Sequence, residues 1–361
     1  MWYKIVREGN EPAYLQLYRQ LRSDIVDGVY PYHTRLPSKR TVKDECGVSL
    51  VTVEHAYALL VDEGYIEARE RSGYFVIFRK GDGFAASSEA RVSPKPTVPH
   101  GSSNEAPDFP FSVLARRMRG VLSDYGEEIL LRSHEKGCIE LRSAIARYLL
   151  RSRGIETDAE SIVVGSGSEY LYRLIVELVG RERVYGIEEP SYQKIEAVYL
   201  ASGVSVRHLP LGADGIESEA LRLTDADVLH ITPYRSFPSG VTASASKRHE
   251  YLRFAERAGH YLIEDDFESE FSVSRKPEDT LFSQNPCSVI YMNSFSKTVS
   301  PALRVGYMVL PTALCRLFEK RLGFYSCTVP TFEQLVLATL LDSGDFERHI
   351  NRVRRKKRKE K

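Results

Sequence analysis

The sequence predicts an α/β protein in two unequal parts, and three observations carry that reading. The chain has 361 residues, more than one ordinary core holds, since single cores stop growing at roughly 250–300 residues. Its start reads as short helices followed by a hairpin, and from about residue 137 strand-like and helix-like stretches alternate, the pattern of a sheet covered by helices with sites at its strand ends. Between the two, from Lys80 to about Pro110, the chain turns to Gly, Ala, Ser, Pro and Asn without apolar periodicity. Such a stretch buries too little apolar surface to fold and reads as a tether. The expected organisation is a small domain over residues 1–80, a linker over 81–110 and a larger domain over 111–361.

Composition narrows the class. Hydrophobic residues make up 42% and charged residues 27%, and no apolar run approaches the ~20 residues of a membrane span. Met1-Trp-Tyr-Lys-Ile-Val-Arg7 has no apolar core or cleavage site behind it, so a cytoplasmic protein is expected. The five cysteines are scattered and never paired as Cys-x-x-Cys, which argues against a disulfide framework and against a metal site. A net charge of +1 leaves nucleic-acid binding open, because a local basic patch can be offset elsewhere.

In the first part, Leu17, Leu21 and Ile25, flanked by Tyr14 and Tyr18, form one stripe at helical spacing, and Gly28 stops the helix. Ser38 reads as the N-cap of a short helix from Lys39 to Cys46 that Gly47 ends, and Ser49 as the cap of a third, from about Leu50 to Glu63, with Val53, Ala56, Tyr57 and Leu60 inward. Two strands follow, Tyr65–Arg69 and Tyr74–Phe78, joined by a tip at Glu70-Arg-Ser-Gly73. Three helices and a hairpin make a winged helix-turn-helix, which lays its third helix in the major groove of double-stranded DNA. Leu36-Pro-Ser-Lys-Arg40, Val48-Ser-Leu-Val-Thr-Val53 and Glu63-Gly-Tyr-Ile-Glu67 with Ser72-Gly-Tyr-Phe-Val76 closely resemble the DNA-binding domain of GntR-family regulators. The resemblance implies that Ser38 and Arg40 reach phosphate and base edge, with Lys39 between them, that Ser49 and Thr52 sit at the groove end of the recognition helix, and that Gly73 lies at the wing tip. Leu50 stands where many relatives have arginine.

In the second part, the stretch Gly137–Gly154 reads as an amphipathic helix with Ile139, Leu141, Ile145 and Leu149 as apolar anchors. Strands are expected at Ser161–Gly165, Val184–Glu188, Val204–Leu209, Val228–Thr232, Tyr261–Glu264 and Val289–Met292, with helices at Ser168–Leu178, Tyr192–Ala201 and Ser246–Ala258.

Four features at these strand ends belong together chemically. Asn293-Ser-Phe-Ser-Lys-Thr-Val-Ser-Pro-Ala-Leu-Arg304 places Lys297 among hydroxyls with a guanidinium seven residues on. Alone it reads first as a surface-loop lysine. Gly165-Ser-Gly-Ser168 links a strand to a helix, so the N–H groups of Ser168 and Glu169, beyond Gly167, can cradle a phosphate. Asp265 follows a strand, where a carboxylate can keep a pyridine nitrogen protonated, and Tyr192 in Glu189-Pro-Ser-Tyr192 offers a ring to stack. Pyridoxal 5′-phosphate needs all of these: an amine, Lys297, for its Schiff base, and Ser294, Ser296 and Arg304 for its phosphate.

Together these features resemble a fold-type I aminotransferase domain, and the whole chain is similar to the MocR-type subfamily of GntR regulators. The matching stretches are Gly137-x-x-Glu-Leu-Arg142, Glu189-Pro190, Thr232-Pro233, Pro238-Ser-Gly240, Ile263-Glu-Asp-Asp-Phe-Glu-Ser-Glu-Phe271 and Ser294-Phe-Ser-Lys-Thr298 with Leu303-Arg-Val-Gly-Tyr307. The resemblance implies a PLP-dependent regulator, paired as a homodimer, that binds a DNA operator and senses an amine or amino acid by exchange at Lys297. The alternative is a working aminotransferase with an accessory DNA module, and a further one is a regulator without cofactor. Phe267 replaces the family's tyrosine, whose hydroxyl contacts the cofactor. Arg235-Ser236 replaces His-Gln, and Arg132 replaces another tyrosine. Phe346-Glu-Arg-His-Ile-Asn-Arg-Val-Arg354 runs into Arg355–Lys361 where relatives continue. A C-terminally incomplete subdomain is therefore expected, with the basic tail as a solvated or frayed helix end.

Overall fold

The computed structural model describes residues 3–6, 11–69, 72–79, 109–267, 269–272 and 279–359. The chain divides into two compact units, 1–101 and 102–361. Residues 81–108 of the expected linker, and Glu70 and Arg71 of the hairpin tip, lie outside the described residues. The last two linker positions belong to the larger unit: Phe109 is buried against the His349 ring at 4.8 Å, and Pro110 opens the following helix.

The first unit holds α1 (Ala13–Val26), α2 (Lys39–Cys46), α3 (Leu50–Asp62), β1 (Ile66–Arg69) and β2 (Gly73–Val76). Local chemistry sets its ends. The Ser38 and Ser49 hydroxyls accept the N–H groups of Thr41 and Thr52, both at 3.1 Å, satisfying donors left open at a helix start. Gly47 closes α2 at φ 64°, a left-handed conformation that glycine adopts without strain. Leu17, Leu21 and Ile25 of α1 pack with Val53, Ala56, Tyr57 and Leu60 of α3. The hairpin pairs Ile66 with Val76 and Arg69 with Gly73.

The second unit is one mixed sheet between two helical layers. Its helices are α4 (Phe111–Tyr125), α5 (Ile139–Arg153), α6 (Ser168–Val179), α7 (Gln193–Ala201), α8 (Ser218–Leu223), α9 (Ala245–Ala255), α10 (Leu281–Gln284), α11 (Thr312–Leu322), α12 (Thr331–Asp342) and α13 (Asp345–Lys359). Its strands are β3 (Ile162–Gly165), β4 (Val184–Glu189), β5 (Ser205–Gly212), β6 (Gly215–Ile216), β7 (Val228–Ile231), β8 (Tyr261–Asp265), β9 (Val289–Ser294) and β10 (Gly306–Val309), in the order β3-β10-β9-β8-β7-β4-β5-β6. Alternate strand residues face opposite layers. Val289 and Tyr291 join the core with α5 and α12, while Ile290 and Met292 join the core with α6, α7 and α11. Strands β9, β8, β7, β4 and β5 run parallel, and β10 is antiparallel to both its neighbours. The carboxyl ends of β3, β7, β8 and β9 therefore meet on one edge, where α/β sheets bind ligands.

Several expectations need correction. Ile139 is 47% exposed at the first turn of α5, and the buried face runs through Leu141, Ala144, Ile145, Tyr148 and Leu149. Asp265 is the last residue of β8 rather than a loop acid beyond it. Neither β6 nor β10 was expected. The basic C-terminal stretch is part of α13, whose Phe346, His349, Ile350 and Val353 are buried. Just before the tail, Arg354 donates to the Glu270 carbonyl at 2.5 Å; within it the Lys357 ammonium lies 4.8 Å from the centre of the Phe271 ring, while Arg355, Lys356, Arg358 and Lys359 are exposed, a helical and largely solvated end. No helix of the structure is long and apolar enough to cross a membrane.

Candidate functional site

A cavity of about 290 Å3 opens at the carboxyl edge of the sheet, lined among others by Ser168, Tyr192, Asp265, Ser294, Lys297 and Arg304. Every cofactor-site residue inferred from the sequence except Gly167 lines it, and Gly167 is the N-cap of α6. The sheet explains the convergence. Gly306 of β10 sits between Gly165 and Ser294 in register, which brings the Gly165–Ser168 turn beside the start of the lysine loop.

Glycine is required at the turn for two reasons. Gly167 has φ +92°, and a Cβ there would stand 3.0 Å from the Arg304 guanidinium. Arg304 thus packs against the backbone at the start of α6, where the first N–H groups of a helix lack intrahelical partners and attract anions. The Arg304 Nη2 donates to Glu169 Oε2 at 2.8 Å, and the Lys194 Nζ to Glu169 Oε1 at 2.5 Å.

Behind the cavity, Asp265 is 4% exposed and is held by groups the sequence reading missed. The Tyr172 hydroxyl donates to Asp265 Oδ2 at 2.5 Å, and His230 Nε2 lies 3.5 Å from the same oxygen. His230 Nδ1 in turn pairs with the Tyr199 hydroxyl at 2.6 Å. Burial, then the neighbouring Asp265, pushes the Tyr172 phenol well above its ordinary range, so it remains a donor. The signal for Tyr172 was its place one turn after Ser168 on the same helix face, but an aromatic on an apolar stripe reads first as core.

At the mouth, Tyr192 is 38% exposed and packs edge-on to Phe237, ring centres 6.1 Å apart. Phe237 is another lining residue the sequence did not single out. The Lys297 Nζ stands 4.2 Å from the centre of the Phe267 ring, within reach of a cation–π attraction. Arg235 is exposed at φ 51°, and Arg132 donates to the Ser326 hydroxyl. Neither is among the cavity-lining residues.

In the first unit, Arg40, Ser38 and Ser49 are exposed and Thr52 is half-buried. Lys39 is tied inward: its ammonium lies 3.6 Å from Glu54 and 5.2 Å from the centre of the Tyr74 ring, joining α2, α3 and the hairpin. Arg35, not anticipated, packs against Gly73, where a Cβ would meet its Nε at 3.0 Å.

Comparison with known proteins places both units. The bacterial regulatory proteins of the gntR family match residues 13–76, and the aminotransferase class I and II family matches residues 102–361. The uncharacterized HTH-type transcriptional regulator YdeL of Bacillus subtilis is 31% identical over 97% of this chain and 78% of its own length. The chain belongs to the GntR-family HTH-type transcriptional regulators that carry an aminotransferase class I and II domain. Another relative of this GntR regulator is the probable rhizopine catabolism regulatory protein MocR of Rhizobium meliloti, 30% identical over 97% of this chain and 76% of its own. Among solved structures it is similar to a Pyrococcus horikoshii kynurenine aminotransferase in complex with PMP. That match has 25% identity and a TM-score of 0.62, covering 69% of this chain and 64% of that one. The regulator thus spans a little under two thirds of that enzyme's length.

Proposed function

We propose that this GntR-family regulator holds pyridoxal 5′-phosphate at Lys297 in residues 111–361 and there senses an amine or amino acid. Residues 1–80 bind a double-stranded DNA operator, and two chains act as a homodimer. The observation that carries the reading is that an amine, a buried carboxylate, hydroxyls, a guanidinium and a helix start line or border one cavity.

The residues fit the cofactor. The glycine at Gly167 leaves open, beside Arg304, the space a Cβ would fill. Ser168, Ser294, Ser296 and Arg304, with the N–H groups of Ser168 and Glu169, supply donors for a phosphate dianion. Asp265 would hold a ring nitrogen protonated, and the Tyr172 hydroxyl fixes that carboxylate in place. Tyr192 would stack on the ring. When bound, pyridoxal phosphate supplies an aldehyde that exchanges one amine for another on an electron-withdrawing ring.

The chain's part in sensing lies in what Lys297 does when an incoming amine takes its place. When not joined to the cofactor, the Lys297 side chain would rest against the Phe267 ring face, 4.2 Å from its Nζ. Binding of the effector then shifts the population of arrangements open to the paired DNA-binding units. At the DNA, Arg40 would reach a base edge and Ser38 a phosphate. Ser49 and Thr52 would lie at the groove end of α3, with Lys39 beside Arg40 and Gly73 at the wing tip.

The test follows the absorption spectrum, keto acid product and operator affinity together as candidate amines are added to PLP-loaded protein. A visible band that shifts with an amine and alters operator affinity supports the proposal. Multiple turnovers with unchanged DNA binding would favour the aminotransferase alternative, and a protein that stays colourless after incubation with PLP overturns the cofactor assignment.

A further inference from the structure

The cavity's guanidinium is already engaged. Lys297 and Arg304 are the cationic side chains among the described residues that line the cavity, and Arg304 is bonded to the carboxylate of Glu169 at 2.8 Å. Glu169 stands in the first turn of α6, the place where the helix dipole and open N–H groups favour negative charge. It also lines the cavity, and the Lys194 ammonium grips its other oxygen at 2.5 Å. The Lys194 hydrogen bond, opposed by partial burial and aided by Arg304, holds Glu169 below the usual carboxylate range, so the group is an anion.

The geometry points to Glu169 as an internal anion that competes with a bound phosphate for Arg304 and so sets the affinity of the pocket for a phosphate monoester. This rests on the proposed cofactor reading and adds a residue to it. The backbone N–H of Glu169 serves the phosphate, whereas its side chain opposes it. Two anions sharing one guanidinium at the same helix start repel, so an arriving phosphate requires the carboxylate to leave Arg304. Lys194 of α7 gives it somewhere to go: the carboxylate keeps that partner while Arg304 turns to the phosphate. Lys194 lies two residues beyond Tyr192, its ammonium 6.0 Å from the centre of that ring. Phosphate arrival thereby reaches the aromatic wall of the cavity through one ion pair. The energetic stake is modest, since both partners are partly exposed, at 48% and 33%, and such pairs contribute up to about 1 kcal/mol. A modest competitor moves the midpoint of filling to higher ligand concentration.

The experiment uses the full chain as wild type, Glu169→Gln, which keeps shape and removes charge, and Glu169→Asp, which keeps charge. PLP and pyridoxal, which lacks the phosphate, are titrated by their spectra, and inorganic phosphate is titrated by its effect on Tm. Glu169→Gln is expected to bind PLP roughly fivefold more tightly, to bind pyridoxal as the wild type does, and to gain a larger Tm increase from inorganic phosphate. Glu169→Asp is expected to stay near the wild type. Unchanged or weaker PLP binding in Glu169→Gln, or an equal gain for pyridoxal, overturns the inference. If no variant develops a visible band with either aldehyde, the Lys297 assignment has failed separately. The phosphate comparison then decides alone: a larger Tm gain in Glu169→Gln upholds the competition, and an equal or smaller one rejects it.

Discussion

The Lys297 ammonium and the Phe267 ring face each other at 4.2 Å. The contact holds the Lys297 side chain against the ring face, so it works against cofactor capture and in favour of the amine that displaces the lysine. Phe267→Leu removes the ring face while keeping an apolar side chain. It is expected to tighten PLP binding and weaken the effector amine by about two- to fivefold each, the equivalent of an exposed cation–π contact. Spectral titrations of the same preparation with PLP and then amine measure both, and movement in the same direction would contradict the account. Lys297→Ala should abolish the visible band altogether.

Tyr172→Phe leaves the buried Asp265 oxygen without its phenol donor, 2.5 Å away in the wild type. The expected cost is about 1–3 kcal/mol of stability in the second unit, the penalty for a buried acceptor that loses its partner. Chemical denaturation followed by fluorescence reports it. A cost within error of zero would contradict that role for the phenol.

Stability of the second unit should fall as pH rises through neutrality. Burial raises Glu188 from the ordinary 4.5 to about 8 and Glu264 from the same value to about 7, and burial moves Glu270 in the same direction. In each case the folded chain keeps a proton that the unfolded chain releases. The stabilisation is complete below the unfolded value of 4.5 and is lost as pH passes through the folded one. Asp345 has the opposite sign. Burial alone would raise it, but Arg348 and Arg117 hold it down to about 2, so its contribution is lost only as pH falls from 3.8 toward that value. Tm measured from pH 5 to pH 9 should decline, and Glu188→Gln should flatten the slope, since an amide neither binds nor releases the proton.

In the first unit, two exposed polar residues should separate into different roles. Arg40→Ala is expected to leave stability unchanged and to cost about 1–3 kcal/mol of specific DNA binding, the worth of a bidentate base contact. Ser49→Ala removes the cap that accepts the Thr52 N–H at 3.1 Å, so it should lower the stability of the first unit by about 1 kcal/mol before any effect on DNA. Equal loss of affinity on all sequences for Arg40→Ala would reassign that residue to phosphate.

What the sequence made legible was mostly local. Ser38 and Ser49 were readable as caps because a hydroxyl before an apolar run answers a need confined to one helical turn. The places of Gly167 and Asp265 at the cavity were readable because a glycine turn and an acid each leave a mark at a strand end. The Tyr172 and His230 supports were hidden, since both lie on apolar elements where a core role explains them equally well. The role of β10 was hidden for a different reason. Gly306–Val309 is a four-residue strand whose antiparallel place between β3 and β9 depends on partners far away in sequence. Ile139 was misread because its spacing fits the stripe while its position in the first turn of α5 leaves it outward.

The position of β10 also fixes when the pocket can exist. During synthesis β3 and the Gly165–Ser168 turn emerge early, then β4 to β8, then β9 with the lysine loop. In the sheet the two halves of the cavity wall are joined through Gly306, which pairs with Gly165 on one side and Ser294 on the other. Until that late strand slides between them, β9 and the lysine loop stand at a sheet edge, and β3 with its Gly165–Ser168 turn has no strand to pair with. Long-range pairing of this kind is slow and comes last. A ribosome stalled before Gly306 would present a chain with Lys297 made and the cavity around it not yet assembled.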